Sequence, residues 1–148
     1  MQEFAKLIFP RPQLRLKEDA KGCLVWSETR RQWLVLTPEE WVRRHLVAWL
    51  ISELGVPLLN VVEEYPVPLN GQPQRADVVA IGRDTKPLLL AECKASDVAI
   101  DQRVLDQAVR YNSVLGARYL VLTNGVSLYA YELTASGYRT LTRLPKLF

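Results

Sequence analysis

The 148-residue chain has only one histidine, two cysteines and one methionine. A single histidine, His45, excludes a His-based zinc site and argues against a histidine-dependent catalytic centre. His45 sits inside a helical pattern, so packing is its expected role. The two cysteines, Cys23 and Cys93, do not make a disulfide framework. No apolar run approaches the roughly 18 residues of a membrane-spanning helix. The first ten residues have only a short apolar stretch and no basic start, unlike a secretory leader. The expectation is a soluble, cytoplasmic protein. Also missing are a Gly-x-x-x-x-Gly-Lys-Ser/Thr loop, any cofactor motif, any internal repeat and any low-complexity tract. The chain therefore carries no ATP motor, and its length suits one domain with one sizeable core. Net charge is +3, which permits nucleic-acid binding without demanding it.

The most informative stretch is residues 75–94, two apolar runs joined by a polar turn. Asp77 opens the first run, and Glu92 and Lys94 close the second. Apolar runs bounded by turn residues are strand signals. Strand side chains alternate with period two, so Glu92 and Lys94 share a face and Cys93 takes the other. Cys93 is expected to be a buried small apolar residue. A turn centred between Asp84 and Thr85 pairs Ile81 with Leu88 and Asp77 with Glu92. Two carboxylates and an ammonium then meet at one end of a hairpin, a place for a hard divalent cation. Acid-x-Lys alone is weak, and Asp19-x-Lys21 and Asp84-x-Lys86 read as solvated turns. Glu92-x-Lys94 differs because an apolar strand leads straight into it. The plain alternative is a Glu–Lys pair where a strand reaches solvent.

Further along, Val104, Leu105, Ala108, Val109 and Leu115 recur at helical spacing, with Gly116 as a C-cap. Gln107 and Tyr111 lie four apart on one face of that helix. Asp77, Glu92-x-Lys94 and Gln107-x-x-x-Tyr111 together resemble the PD-(D/E)xK nuclease superfamily. More narrowly, five stretches resemble the N-terminal nuclease domain of type I restriction enzyme R subunits and its short stand-alone relatives. These are residues 36–43 (Leu-Thr-Pro-Glu-Glu-Trp-Val-Arg), 75–77 (Arg-Ala-Asp), 91–95 (Ala-Glu-Cys-Lys-Ala), 106–112 (Asp-Gln-Ala-Val-Arg-Tyr-Asn) and 123–125 (Thr-Asn-Gly). The resemblance covers roughly residues 30–132. Ala76 stands where the superfamily name has proline, a replacement common in that superfamily.

Candidate strands occupy residues 13–17, 23–27 and 33–36. Thr37-Pro-Glu-Glu40 is a helix start, with Thr as N-cap, Pro at the first helical position and Glu three residues after the cap. That helix runs to about Leu54. Residues 58–67 read as a strand interrupted by Pro66, hence at an edge. Asn70-Gly71 and Asn124-Gly125 mark hairpins, the second joining residues 119–123 to 126–132. A last strand spans about 138–144. The fold class is α/β, because the strand before Glu92 is apolar on both faces and needs cover on both. The resemblance implies a restriction-endonuclease-like fold, a central mixed β-sheet flanked by helices. Residues 1–36 form an N-terminal β extension, 37–132 the core, and 133–148 a C-terminal strand and tail.

The resemblance implies a Mg²⁺-dependent DNA endonuclease of restriction-enzyme type, with Mn²⁺ as a substitute ion. Asp77 and Glu92 would be metal ligands, with the Cys93 carbonyl a third, and Lys94 would assist the attacking water. Gln107 and Tyr111 would support the lysine and the substrate backbone. A glutamate near the start of the first helix is a further family feature; Glu40 is the candidate, and a capping-box role is its alternative. Glu64 is an unassigned acid. Arg103 and Arg110, a heptad apart around Gln107, are candidate phosphate contacts on DNA. A homodimer, or separate motor and specificity subunits, would complete the system, with no membrane involved. The competing reading is a catalytically silent nucleic-acid-binding or protein-interaction module that keeps the fold.

Overall fold

The computed structural model describes residues 4–148. Residues 1–3, which begin the stretch read as lacking a secretory leader, lie outside the described residues. Among the described residues nine strands form a small and a large sheet, accompanied by two α-helices. Strands β1 (Leu16–Asp19), β2 (Gly22–Ser27) and β3 (Gln32–Val35) make an antiparallel sheet of their own. Helix α1 (Pro38–Ser52) follows, then a single 3₁₀ turn, Leu58–Asn60. The large sheet has the order β4 (Val61–Leu69), β5 (Gln72–Ile81), β6 (Pro87–Cys93), β7 (Tyr119–Thr123), β8 (Leu128–Thr134), β9 (Gly137–Leu141). Only β6 and β7 pair in parallel, with α2 (Gln102–Leu115) between them in the chain. Pro66 does lie on an edge strand, β4. Strand β9, expected from sequence as a last strand over about 138–144, completes the other edge of the same sheet. Among the described residues no helix is long and apolar enough to cross a membrane.

Both helices start where the sequence places a cap. Thr37 accepts a hydrogen bond from the Glu40 amide at 3.0 Å, a contact typically worth about 1 kcal/mol. Asp101 caps α2 by accepting from the Arg103 and Val104 amides. At the other end of α2, Gly116 adopts φ 67°, a left-handed C-cap that suits glycine.

Val42, Leu46 and Leu50 of α1 cover one face of the large sheet, against Val78, Ala80, Leu89, Ala91, Cys93 and Val121. Val104, Ala108 and Tyr111 of α2 cover the other, against Val79, Leu90, Leu120 and Leu122. Cys93 is fully buried, as its apolar reading required. His45 is buried with its ring 4.5 Å from Trp41 and Nδ1 2.8 Å from the Trp41 carbonyl.

One register expectation is corrected. Val78 pairs with Ala91 and Ala80 with Leu89, but Ile81 pairs with Pro87, not Leu88. A bulge at Leu88 absorbs the difference, because the turn closes through Gly82 and Lys86 (Gly82 amide to Lys86 carbonyl, 2.8 Å) with Thr85 left-handed at φ 67°. The shift lies on the turn side, so it leaves the Asp77 end in step. Asp19 and Asp84 each accept from the amide two residues on, at 2.7 and 3.0 Å. Both are local turns, as read.

A buried ionic network ties the two sheets together. Arg44 donates from Nε to Glu40 at 2.7 Å and from Nη1 to the Ser27 hydroxyl at 2.9 Å, and its Nη2 pairs with Glu63. Thr29 adds its hydroxyl to Glu63. Ser27 is on β2, Glu63 on β4 and Arg44 on α1, so one guanidinium fastens three elements. Removing one partner of a buried pair leaves an uncompensated charge. Arg44→Ala should therefore destabilise the fold by about 3–5 kcal/mol, measured by urea denaturation; a loss below about 1 kcal/mol would mean that the network is solvated.

Candidate active site

The site forms where three strands reach the same level. β4 pairs with β5 so that Glu63 faces Val78 and Tyr65 faces Ala76, which leaves Glu64 and Asp77 side by side. The β5–β6 register, continued one step past Val78–Ala91, sets Asp77 opposite Glu92. At this level β4 and β5 change faces. Val61 packs with the α1 cluster, whereas Tyr65 and Val67 pack with the α2 cluster. Regular alternation would keep these odd-numbered residues on one face. Glu64 breaks it with φ 54°. On β5, Ala76 likewise joins the α2 cluster and Val78 the α1 cluster. The acids thus sit at a twist in the sheet, open to both helices.

Asp77 and Glu92 clamp each other through backbone and side chain. The Asp77 amide donates to Glu92 Oε2 at 2.8 Å, and the Cys93 amide donates to Asp77 Oδ2 at 2.8 Å. Burial raises the Asp77 carboxyl above its ordinary value, against the Cys93 amide bond and the Arg43 charge, with Glu64 adding to the rise. Glu92 is pushed up to about 9, by burial first and by the Asp77 charge second. Two like charges this close cannot both ionise freely, so burial and the Asp77 charge both favour the neutral form of Glu92.

Lys94 follows directly, half-buried, with its amide on the Thr123 carbonyl at 2.9 Å. The Thr-Asn-Gly turn holds this segment. The Asn124 side chain donates to the Val98 carbonyl at 2.8 Å while its oxygen accepts from the Val126 and Ser127 amides. Gly125, at φ 83°, has no room for a side chain, since a Cβ there would come within 2.6 Å of Leu7.

Glu40 does not join the acids. Its carboxylate is taken by Arg43 and Arg44. Burial would raise its pKa, but those guanidinium groups together bring it below the usual range. The α1 acid that senses the site is Glu39, raised by burial and then by the Asp77 charge, with Lys94 and Arg43 opposing. Glu39 lies one turn before Val42 and Arg43, and that spacing was the available signal. Arg43 was also missed. It donates to Glu64 at 2.6 Å and pairs with Glu40, standing between the buried network and the acids.

Gln107 and Tyr111 do meet, with Gln107 donating to the Tyr111 hydroxyl at 2.6 Å. The hydroxyl donates in turn to Gln74 at 3.2 Å, on β5 just before Asp77. Among the described residues neither side chain hydrogen-bonds Lys94, Asp77 or Glu92. Tyr111 still feels the acids, its pKa raised by burial and then by the Glu92 charge. Arg110 lines a cavity of about 280 Å³ with Gln74, Gln107 and Tyr111. Arg103 is exposed on the first turn of α2.

Among the described residues no three His, Cys, Asp or Glu side chains converge as a self-sufficient metal cluster. Asp77 and Glu92 could hold a divalent cation, because two acid side chains come together at one level of the sheet. With two protein carboxylates, the donor set suits Mg²⁺, which keeps several waters and takes substrate oxygens.

The family of type I restriction enzyme R protein N termini matches residues 38–145. A solved fragment described as an HsdR subunit of a type I restriction enzyme from Vibrio vulnificus YJ016 is similar in structure, with a TM-score of 0.56 and 25% identity. The match covers 76% of this chain and 25% of that one, so the chain spans about a quarter of that relative's length. No curated protein matches.

The Glu92 proton makes a pH prediction. Between an unfolded value near 4.5 and a folded value of about 9, the folded state keeps a proton that the unfolded chain has released. Stability without metal should then fall as pH rises through this window, by at most about 1.4 kcal/mol per unit. Melting in EDTA from pH 5 to 9 should show the decline in wild type and a flatter profile in Glu92→Gln. Parallel profiles would remove the Glu92 proton from the account.

Proposed function

The chain belongs to the family of type I restriction enzyme R protein N termini, and we propose that it is a Mg²⁺-dependent DNA endonuclease domain. The observation that carries this reading is the Asp77–Glu92 pair, half-buried and buried respectively, at one level of the sheet beside Lys94. Mg²⁺ held by these carboxylates would supply Lewis-acid polarisation and a more acidic bound water. The protein's own groups do the rest. Asp77 and Glu92 fix the ion's place, each oriented by a backbone amide. Lys94, anchored through the Thr123 carbonyl, orients the attacking water and offsets charge that develops on the phosphate. Tyr111, supported by Gln107 and Gln74, positions the substrate backbone from the α2 side. Arg110 and Arg103 on the same helix are placed to meet neighbouring phosphates. Glu39 takes the role first given to Glu40, facing the acids from α1.

In this reading the domain cleaves DNA in the cytoplasm, while translocation and sequence choice belong to other parts of the restriction system. A silent binding module would keep the same fold without using the acids.

Lys94→Ala should leave the metal-induced rise in melting temperature intact yet lower Mg²⁺-dependent cleavage of plasmid DNA by about 10²-fold or more. Asp77→Ala should lose both the rise and the cleavage. If Lys94 were instead a structural salt-bridge partner, Lys94→Ala would destabilise the protein strongly with no added metal. Wild-type protein that cleaves neither DNA nor RNA with Mg²⁺ or Mn²⁺ establishes the silent-module reading.

A further inference from the structure

The three-stranded sheet, residues 16–35, lies outside the span matched by the family. One of its faces has no cover. Register puts Trp26 opposite Trp33 and Leu24 opposite Val35 on that face, with Lys17 beside Leu24. Arg15 sits beside Trp26, its carbonyl accepting from the Trp26 amide at 2.9 Å. Cys23, Val25 and Ser27 alternate to the other side, where Val25 and Ser27 are fully buried. Val35 is 57% exposed.

The two indoles contact each other edge to face at 5.4 Å between centroids. The Arg15 guanidinium lies over both, 5.2 Å from Trp26 and 5.6 Å from Trp33. The Lys17 ammonium is 4.3 Å from the Trp33 centroid. Among the described residues these cations pair with no carboxylate. Stacking on aromatic rings holds them in place while leaving their charge toward solvent, so little side-chain freedom remains to be lost on binding. Arg30 and Arg31 add two further cations in the β2–β3 turn, next to one acid, Glu28. That turn is fastened to Glu63, the neighbour of Glu64, by Ser27 and Thr29.

We propose that the Arg15–Lys17–Trp26–Trp33 face is a docking surface for the phosphate backbone of duplex DNA, flanking the candidate cleavage site. The argument rests on the nuclease reading for the identity of the polyanion, and on charge complementarity for the surface itself. Duplex is favoured over single strands because the indole faces that an unpaired base would stack on carry Arg15 and Lys17. The β2–β3 turn, bonded to Glu63 through Thr29, joins this sheet to the strand that carries Glu64.

The test is duplex binding in EDTA over a series of salt concentrations. Arg15→Gln with Lys17→Gln keeps much of the side-chain bulk over the indoles and removes the charge. Duplex affinity should fall about tenfold, and the slope of log affinity against log salt should shrink by about 2, near 0.9 per lost phosphate contact. Arg15→Lys should retain the wild-type slope. Unchanged duplex affinity and slope in the double variant overturns the proposal and leaves the face to a protein subunit. A loss confined to single-stranded DNA overturns it as well, as does wild-type protein that binds no duplex. If the slope falls as stated while no metal supports cleavage, the docking surface stands and the nuclease reading alone fails.

Discussion

Two carboxylates facing each other inside a protein are costly, and the architecture around Asp77 and Glu92 follows from that cost. Neither acid can be moved to relieve it, because each accepts from a backbone amide of the other's strand or its neighbour. The register of β5 against β6 is therefore an electrostatic choice as well as a packing one. A slip of one residue would turn Glu92 to the α1 face and Cys93 toward Asp77. The apolar runs on both strands resist that slip, since each is buried on both sides. The Leu88 bulge takes up the irregularity at the turn, well away from the acids.

Positive charge is supplied in layers around this pair. Arg43 reaches Glu64 and Glu40, and its charge lowers the Asp77 carboxyl. Arg44, one residue on, is committed to Glu40, Glu63 and Ser27. Adjacent arginines on one helix thus serve different tasks: Arg44 joins sheet to sheet, and Arg43 faces the acids. Glu40 is the hinge between these tasks, shared by both guanidinium groups. Its capture explains why Glu39, exposed at the start of α1, is the helix acid left to respond to Asp77 and Lys94.

Much of this was legible from residues alone. Alternation and turn chemistry placed Asp77 against Glu92, the Thr37 cap began α1 where expected, and the Asn124-Gly125 turn lay between the right strands. Two-sided apolarity of β6 correctly required helices on both faces. What was not legible depended on breaks in periodicity. A left-handed residue at a glutamate, Glu64, has no composition signal, yet it turns β4 from one face to the other. Glu40 was the candidate by resemblance, with a capping-box role as its alternative, and no local pattern shows that Arg43 and Arg44 take its carboxylate. Gln74 carried no motif; only the fold brings it to the Tyr111 hydroxyl.

The cost of the acid pair also bears on whether the site is used. A protein that kept this fold only to bind a partner could replace Glu92 by glutamine, retain a hydrogen bond to Asp77 and shed the like-charge repulsion. Stabilising changes of this kind are readily available to natural sequences, and their recurrent cost falls where activity needs a destabilised site. Strain held at one place by the surrounding structure tends to mark a working site, and here the left-handed Glu64, the raised Glu92 and the raised Glu39 coincide. The same end of the sheet is fastened to the β2–β3 turn. Stability is thus spent at the one level of the sheet that Arg43, Arg44 and the β2–β3 turn hold together.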